Sequence, residues 1–274
     1  VNQPDVVWNP TLGLYVPRVT SALRVMDKYH LRRWYATEAA INGVLEGRSI
    51  AFDDELDIDN RAKFCVEAVD QYVAETADFG TEVHQWLAAF NRGDEQIPSG
   101  RIAKVVAPWP AWFDKHVGRV YRVEQQVFGK IDGLHYGGTL DLLVLLLAGT
   151  KLGHTGRTLE NDTVTIADFK TSPQYYDEMG YQLAPYHRGV CELSRTALDV
   201  PFPEIRITVR LDREKPGKVY CKEWLDYDND LGMFRDCLSI WYRLNQHRLT
   251  DMVQSSSTQK EIACLASNST PSTN

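Results

Sequence analysis

The run from Leu140 to Ala148 restricts the folds open to this chain more than any other segment. It is the longest apolar stretch, yet it falls far short of the roughly 20 residues needed to span a bilayer. Its content of aliphatic and β-branched residues reads instead as a strand over Gly137 to Leu147. Asp141 lies inside that run. A carboxylate placed among buried side chains is costly unless it is paired or bound to a metal ion, so this residue needs a partner.

The segments around the run predict an α/β protein. Arg119 to Phe128 is the hairpin partner, with Gly129, Gly133, Gly137 and Gly138 between the two strands. Thr163 to Phe169 is a third strand beyond the polar connection Gly149 to Asp162, and Glu204 to Leu211 and Lys218 to Trp224 are two more. Helical spacing occupies Thr20 to Gly47, Asn60 to Phe79, Thr81 to Asn91 after a break at Gly80, and Ala103 to His116, interrupted at Pro108 and Pro110. Tyr175 to Leu198 is helical with a kink expected at Pro185. Asp230 to Arg248 closes the pattern as an amphipathic helix. This order implies one domain over 1–253, with a helical N-terminal elaboration to about residue 79 and a mixed sheet flanked by helices in 80–253. The Ser-, Thr- and Asn-rich tail, 254–274, is expected to be disordered. The acidic stretch Asp53 to Asp59 reads as a solvated linker or helix start, because it has no glycine for the turn of a calcium loop.

Charge excludes a globally basic nucleic-acid coat, since 30 Lys and Arg face 37 Asp and Glu for a net charge of -7. Positive charge collects in two segments. Arg18, Arg24, Lys28, Arg32 and Arg33 stand against Asp27 alone, and Arg101, Lys104, Lys115, Arg119, Arg122 and Lys130 against Asp114 and Glu124. Arg24, Lys28, Arg32, Arg33, Arg119 and Arg122 are the candidate contacts to a phosphate backbone. The five cysteines are scattered with no C-x-x-C pair, which argues against a disulfide framework or zinc ribbon and fits a reducing compartment. No secretory signal or membrane segment is visible, and the start at Val1 implies a processed or trimmed end. A cytoplasmic location is expected.

The chemistry concentrates in Gly138-Thr139-Leu140-Asp141 and Asp168-Phe169-Lys170. Strand alternation turns Asp168 and Lys170 to one side and Phe169 to the core. Two carboxylates and an ammonium then meet at one edge of a sheet. A divalent cation on Asp141 and Asp168 would explain the buried charge, and oxygen ligands favour magnesium or manganese over zinc. Glu82 and Asp132 read as solvent-facing, and Trp109, Trp112 and Phe113 as core.

In this order and context the residues resemble the PD-(D/E)XK nuclease superfamily, in its RecB-like branch that includes phage exonucleases. The likeness covers about Gly80 to Tyr186. Gly80-Thr81-Glu82-Val83-His84 is similar to the helix motif whose histidine binds metal, and Glu124 stands where the preceding strand often carries an acid. Gly138 to Asp141 matches the metal-binding aspartate motif, Asp168 to Lys170 the D-x-K signature, and Gln182 to Tyr186 the Q-x-x-x-Y motif. The resemblance implies a Mg2+-dependent DNA exonuclease, with Mn2+ able to substitute, serving recombination, repair or degradation and encoded by a phage. Metal would be held by His84, Glu124, Asp141 and Asp168, with Lys170, Asp141, Asp168, Gln182 and Tyr186 as the catalytic set. Partners would be linear DNA and a helicase or single-strand annealing protein, and the location a host cytoplasm if phage-encoded.

Two departures bear on this. Pro185 replaces the usual small helix former and is expected to displace Tyr186 from Gln182. The late cysteines, Cys221, Cys237 and Cys264, are too widely spaced for the iron-sulfur cluster of some relatives, so none is expected. Two other readings remain: a structure- or sequence-specific endonuclease on the same core, and an inactive nucleic-acid-binding protein.

Overall fold

The computed structural model describes residues 5–26, 29–47, 55–94, 96–153 and 155–245, without the side chains of 29–32, 44–47 and 55–61. The chain opens with β1 (Val6–Asn9), β2 (Leu14–Pro17), α1 (Val19–Leu23), α2 (Tyr29–Gly47) and α3 (Glu55–Arg92). Next come α4 (Ala103–Val106), α5 (Trp109–His116), β3 (Val117–Ile131), β4 (Leu134–Leu146), β5 (Lys151–Leu152) and β6 (Arg157–Thr158). It finishes with β7 (Thr163–Lys170), α6 (Glu178–Ser194), β8 (Ile205–Leu211), β9 (Val219–Glu223) and α7 (Tyr227–Leu244). The tail expected from residue 254 lies outside the described residues, as do Asp53 and Asp54.

The apolar run forms β4 in the central sheet, whose order is β3-β4-β7-β8-β9. All its neighbours are antiparallel except β7 and β8, which are joined through α6. The fold is therefore a mixed α/β arrangement with helices on both faces. One face buries Leu143 and Ile166 with Val19 and Leu23 of α1, Leu183 and Val190 of α6, and Phe234 and Leu238 of α7. The opposite face buries Leu142, Val144, Phe169, Ile207 and Val209 against Val83 and Leu87 of α3, Val106 of α4 and Trp109 of α5. Each such aliphatic side chain contributes about 1.5–3 kcal/mol on burial.

Local chemistry explains the hairpin turn. Ile131 pairs with Leu134, leaving Asp132 and Gly133 as a two-residue loop with φ of 48° and 83°. Both positive values fit a type I′ turn, which matches the twist of the strands.

Three features depart from the sequence reading. Val6 to Pro17 forms the β1–β2 hairpin, which was not expected. Helix α3 runs through Gly80 without a break. A methyl group at Gly80 would meet only Thr171 Oγ1, at 3.7 Å, so packing space does not require glycine there. The third feature is on the α6 side of β8, where Arg206, Thr208 and Arg210 are all buried. Arg206 is satisfied completely enough to be structural: it donates to Asp230 at 3.0 Å, Trp224 O at 3.0 Å and Gly180 O at 3.4 Å. Among the described residues, no helix is long and apolar enough to cross a membrane.

Candidate metal centre

The pairing of β4 with β7 stops at Leu142 and Ala167. Beyond that point Asp141 Oδ2 accepts the Phe169 backbone N–H at 2.7 Å, so a side chain takes the place of the next ladder bond. The sheet opens into a cleft of about 820 Å³ at this position. Leu140 packs on the α6 face and Leu142 on the α3 face, although regular alternation would put both on one side. The opposing strand is irregular too. Glu124 has a φ of 50°, unusual for a residue with a side chain, and stands between the pairs Val123–Leu142 and Gln125–Leu140, opposite Asp141. Such irregularities redirect side chains at functional sites.

His84 reaches the same place from α3, with Nδ1 3.4 Å from Asp141 Oδ2. Its ring packs edge-on against Phe169, with centroids 6.2 Å apart. One donor atom each from His84, Glu124 and Asp141 lies within 4.8 Å of the others. Asp168 is outside this triad. Its side chain is 2% exposed, its Oδ2 is ion-paired with Lys170, and its Oδ1 accepts from Gln182 Nε2 at 3.0 Å. Despite the nearby ammonium, Asp168 Oδ2 has no hydrogen bond of regular geometry, which leaves lone-pair capacity in a buried atom. Three carboxylates crowd around one lysine and one histidine, with Arg18 and Arg92 also lining the cleft. An oxygen-rich set with one imidazole fits a hard divalent cation.

The electrostatics follow from this crowding. Burial and the Asp141 charge hold Glu124 above its usual range. Burial acts first on Asp168 as well, and Asp141 adds to it, so Asp168 is raised despite Lys170. Asp141 is the exception, because His84, Lys170 and the Phe169 N–H outweigh its burial and keep it low. Burial would lower His84, but Asp141 outweighs it and leaves the imidazole raised.

Helix α6 supplies the brace behind Asp168. Pro185 lies inside it, yet the helix is continuous, and Gln182 Nε2 remains 3.5 Å from Tyr186 Oη. The displacement expected of Tyr186 is therefore absent. The Pro185 carbonyl accepts from Tyr136 Oη at 3.0 Å. Tyr186 is buried against Gly138, where an added methyl would stand 2.6 Å from Cε1 of the ring. Glycine at 138 is thus needed for close approach.

The basic candidates fare unevenly. Arg122 is engaged by Asp199 at 2.6 Å and by the Tyr121 carbonyl, and Arg24 by Asp5 at 2.6 Å and Ser21. These protein contacts compete with a phosphate role. Arg119 lies over the Tyr121 ring, and Arg33 is exposed. Lys28 and the side chain of Arg32 are outside the described residues. The cleft is instead lined by Arg18, which belongs to the first basic segment, and by Arg92, which lies in neither segment. Helical spacing does signal Arg92, since it follows His84 and Ala88 at four-residue steps and all three line the cleft. Glu82, expected to face solvent, accepts from the Ser99 hydroxyl. Trp109 is fully buried, as a core residue should be.

No family model matches the chain, and no curated protein matches it. Among solved structures, one described as the crystal structure of SSO0001 aligns at 13% identity, over 74% of this chain and 84% of that one, with a TM-score of 0.34. Likeness at this level assigns neither family nor activity.

Proposed function

We propose that this chain is a divalent-metal-dependent nuclease on a PD-(D/E)XK core, acting on DNA as an exonuclease. The observation that carries the reading is the convergence of His84, Glu124 and Asp141 donors within 4.8 Å, beside the buried Asp168–Lys170 pair, in an open cleft. A structural ion pair needs neither the surplus of carboxylates nor the access to solvent.

His84, Glu124 and Asp141 would hold magnesium or manganese, which when bound would supply Lewis acidity for phosphodiester hydrolysis. Lys170, held against Asp168, offers its ammonium to the scissile phosphate and offsets the charge that grows there. Gln182 fixes Asp168 through Oδ1, which keeps Oδ2 directed at Lys170. Tyr186 steadies Gln182, and burial followed by the Asp168 charge keeps its hydroxyl protonated.

The test uses purified protein with linear and covalently closed circular DNA, magnesium or manganese, and an EDTA control. Metal-dependent loss of linear DNA is expected, slowed roughly a hundred- to a thousandfold in Lys170→Ala. Cutting of closed circles would shift the reading to an endonuclease. Undiminished activity in Lys170→Ala or Asp141→Ala would sink the site, and inactivity on all DNA and RNA under both metals would sink the nuclease.

A further inference from the structure

Lys170 is one member of a row that crosses the sheet. Parallel pairing sets it beside Arg210 of β8, and antiparallel pairing sets Arg210 beside Tyr220 of the edge strand β9. In the adjacent row Asp168, Thr208 and Lys222 are aligned in the same way. Paired residues share a face, and strands lie ~4.8 Å apart, so the edge is reached within about 10 Å of the catalytic lysine.

At that edge lies a groove of about 530 Å³ whose lining includes Lys151, Tyr175, Arg210, Tyr220 and Lys222, and no carboxylate among the described residues. The aromatic rings are held in place. The Arg210 guanidinium lies over Tyr175 at 5.2 Å and Tyr220 at 4.5 Å, and is itself fixed by Pro173 O at 2.7 Å and Asp212 at 2.6 Å. Lys222 Nζ sits 3.7 Å from the Trp224 ring centroid. Neither Lys151 nor Lys222 pairs with a carboxylate among the described residues. The groove at the other end of these strands is of mixed charge, since Glu160, Glu204 and Glu223 line it together with Arg157 and Arg206. Arg210 is matched by Asp212, which leaves the two lysines as the unpaired charge; unpaired ammonium groups combined with half-buried aromatic faces are the chemistry that holds single-stranded nucleic acid.

We propose that this edge groove binds a single-stranded nucleic-acid segment, its bases on Tyr175 and Tyr220 and its phosphates at Lys151 and Lys222. This extension rests on the nuclease reading for the identity of the polymer, but the groove has its own test. A fluorescent oligothymidylate of about 12 nucleotides is titrated in EDTA, where no cutting occurs, and followed by anisotropy. Tyr220→Ala should weaken binding about tenfold, and Tyr220→Phe should restore it. Lys222→Ala should lower the slope of log affinity against log salt by about one. In the cutting assay both Ala variants should raise KM and leave kcat within about twofold, because neither residue touches the scissile phosphate. Photocrosslinking with 5-iodouracil should mark Tyr175 or Tyr220.

Equal oligonucleotide affinity in wild type and Tyr220→Ala overturns the groove, whatever the nuclease assay gives. Crosslinks confined to other surfaces, or tighter binding of a phosphopeptide than of the oligonucleotide, do the same. If wild type binds through Tyr220 and Lys222 but cuts no nucleic acid, the groove stands and the nuclease reading falls.

Discussion

Two regions of this molecule bury charge, and they do so in opposite ways. At one end of the sheet Arg206 and Asp230 have side chains 3% and 7% exposed, and the guanidinium is saturated by one carboxylate and two carbonyls. At the other, Glu124, Asp141 and Asp168 are crowded together, the donors stay open to a cleft, and Glu124 takes a left-handed backbone conformation. The first arrangement is closed and neutral, which is what structure requires. The second crowds carboxylates beside a strained backbone position, which a bound cation or a proton would relieve.

The largest effect should come from the open end. Asp141→Asn removes one negative donor while an oxygen remains for the Phe169 N–H, so turnover should drop roughly a hundred- to a thousandfold with the fold retained. Activity assays paired with circular dichroism check both halves. At the closed end the effect should fall on stability instead. Asp230→Ala leaves Arg206 buried without its counter-ion and should cost about 3–5 kcal/mol in urea unfolding, whereas the double variant with Arg206→Met should recover much of that loss. If the single and double variants were equally unstable, the pair would not be the closed unit described here.

Metal provides an intermediate effect. Saturating Mn2+ at 100 times its Kd should stabilise the wild type by about 2.7 kcal/mol and leave Asp141→Asn almost unmoved. A thermal shift of equal size in both proteins would place the ion elsewhere.

The smallest effect is a pH slope in the metal-free protein. Glu124 is raised above its unfolded value, so its proton is bound more tightly in the folded chain. Its stabilising contribution is complete below the ordinary carboxyl pKa and is lost as pH rises through the raised one. Glu124→Gln should flatten that part of the stability profile, and metal should reverse it, since binding displaces the proton. An unchanged slope in Glu124→Gln would assign it to other carboxyls.

The same contrast explains what the sequence made legible. Asp141, Asp168 and Lys170 could be read because strand alternation and the cost of burying charge are local rules. The central strands and α7 were legible for the same reason, through their periodicity. Glu124 was harder, since regular pairing alone does not set its direction and the φ of 50° does. Arg18 reaches the cleft only through tertiary packing of α1, whereas Arg92 could have been read from the helical face it shares with His84. The break expected at Gly80 failed because a glycine costs a helix only about 1 kcal/mol, which the burial of Val83 and Leu87 on the following turns exceeds. Pro185 misled in a similar way: α6 keeps its course where it is packed against the sheet. The β1–β2 hairpin, with four residues in each strand, was too short to give a period.

The two separate cores of the fold set the order in which the donor set can exist. His84 arrives with the layer that packs Val83 and Leu87, whereas Gln182 and Tyr186 arrive with the layer built on Leu183 and Val190. A chain with only one layer docked therefore holds half a constellation: carboxylates without their histidine, or a lysine pair without its brace. On the proposed metal-dependent reading, the complete donor set requires both layers to be docked, and a probe of metal capture during refolding would report when the second layer docks.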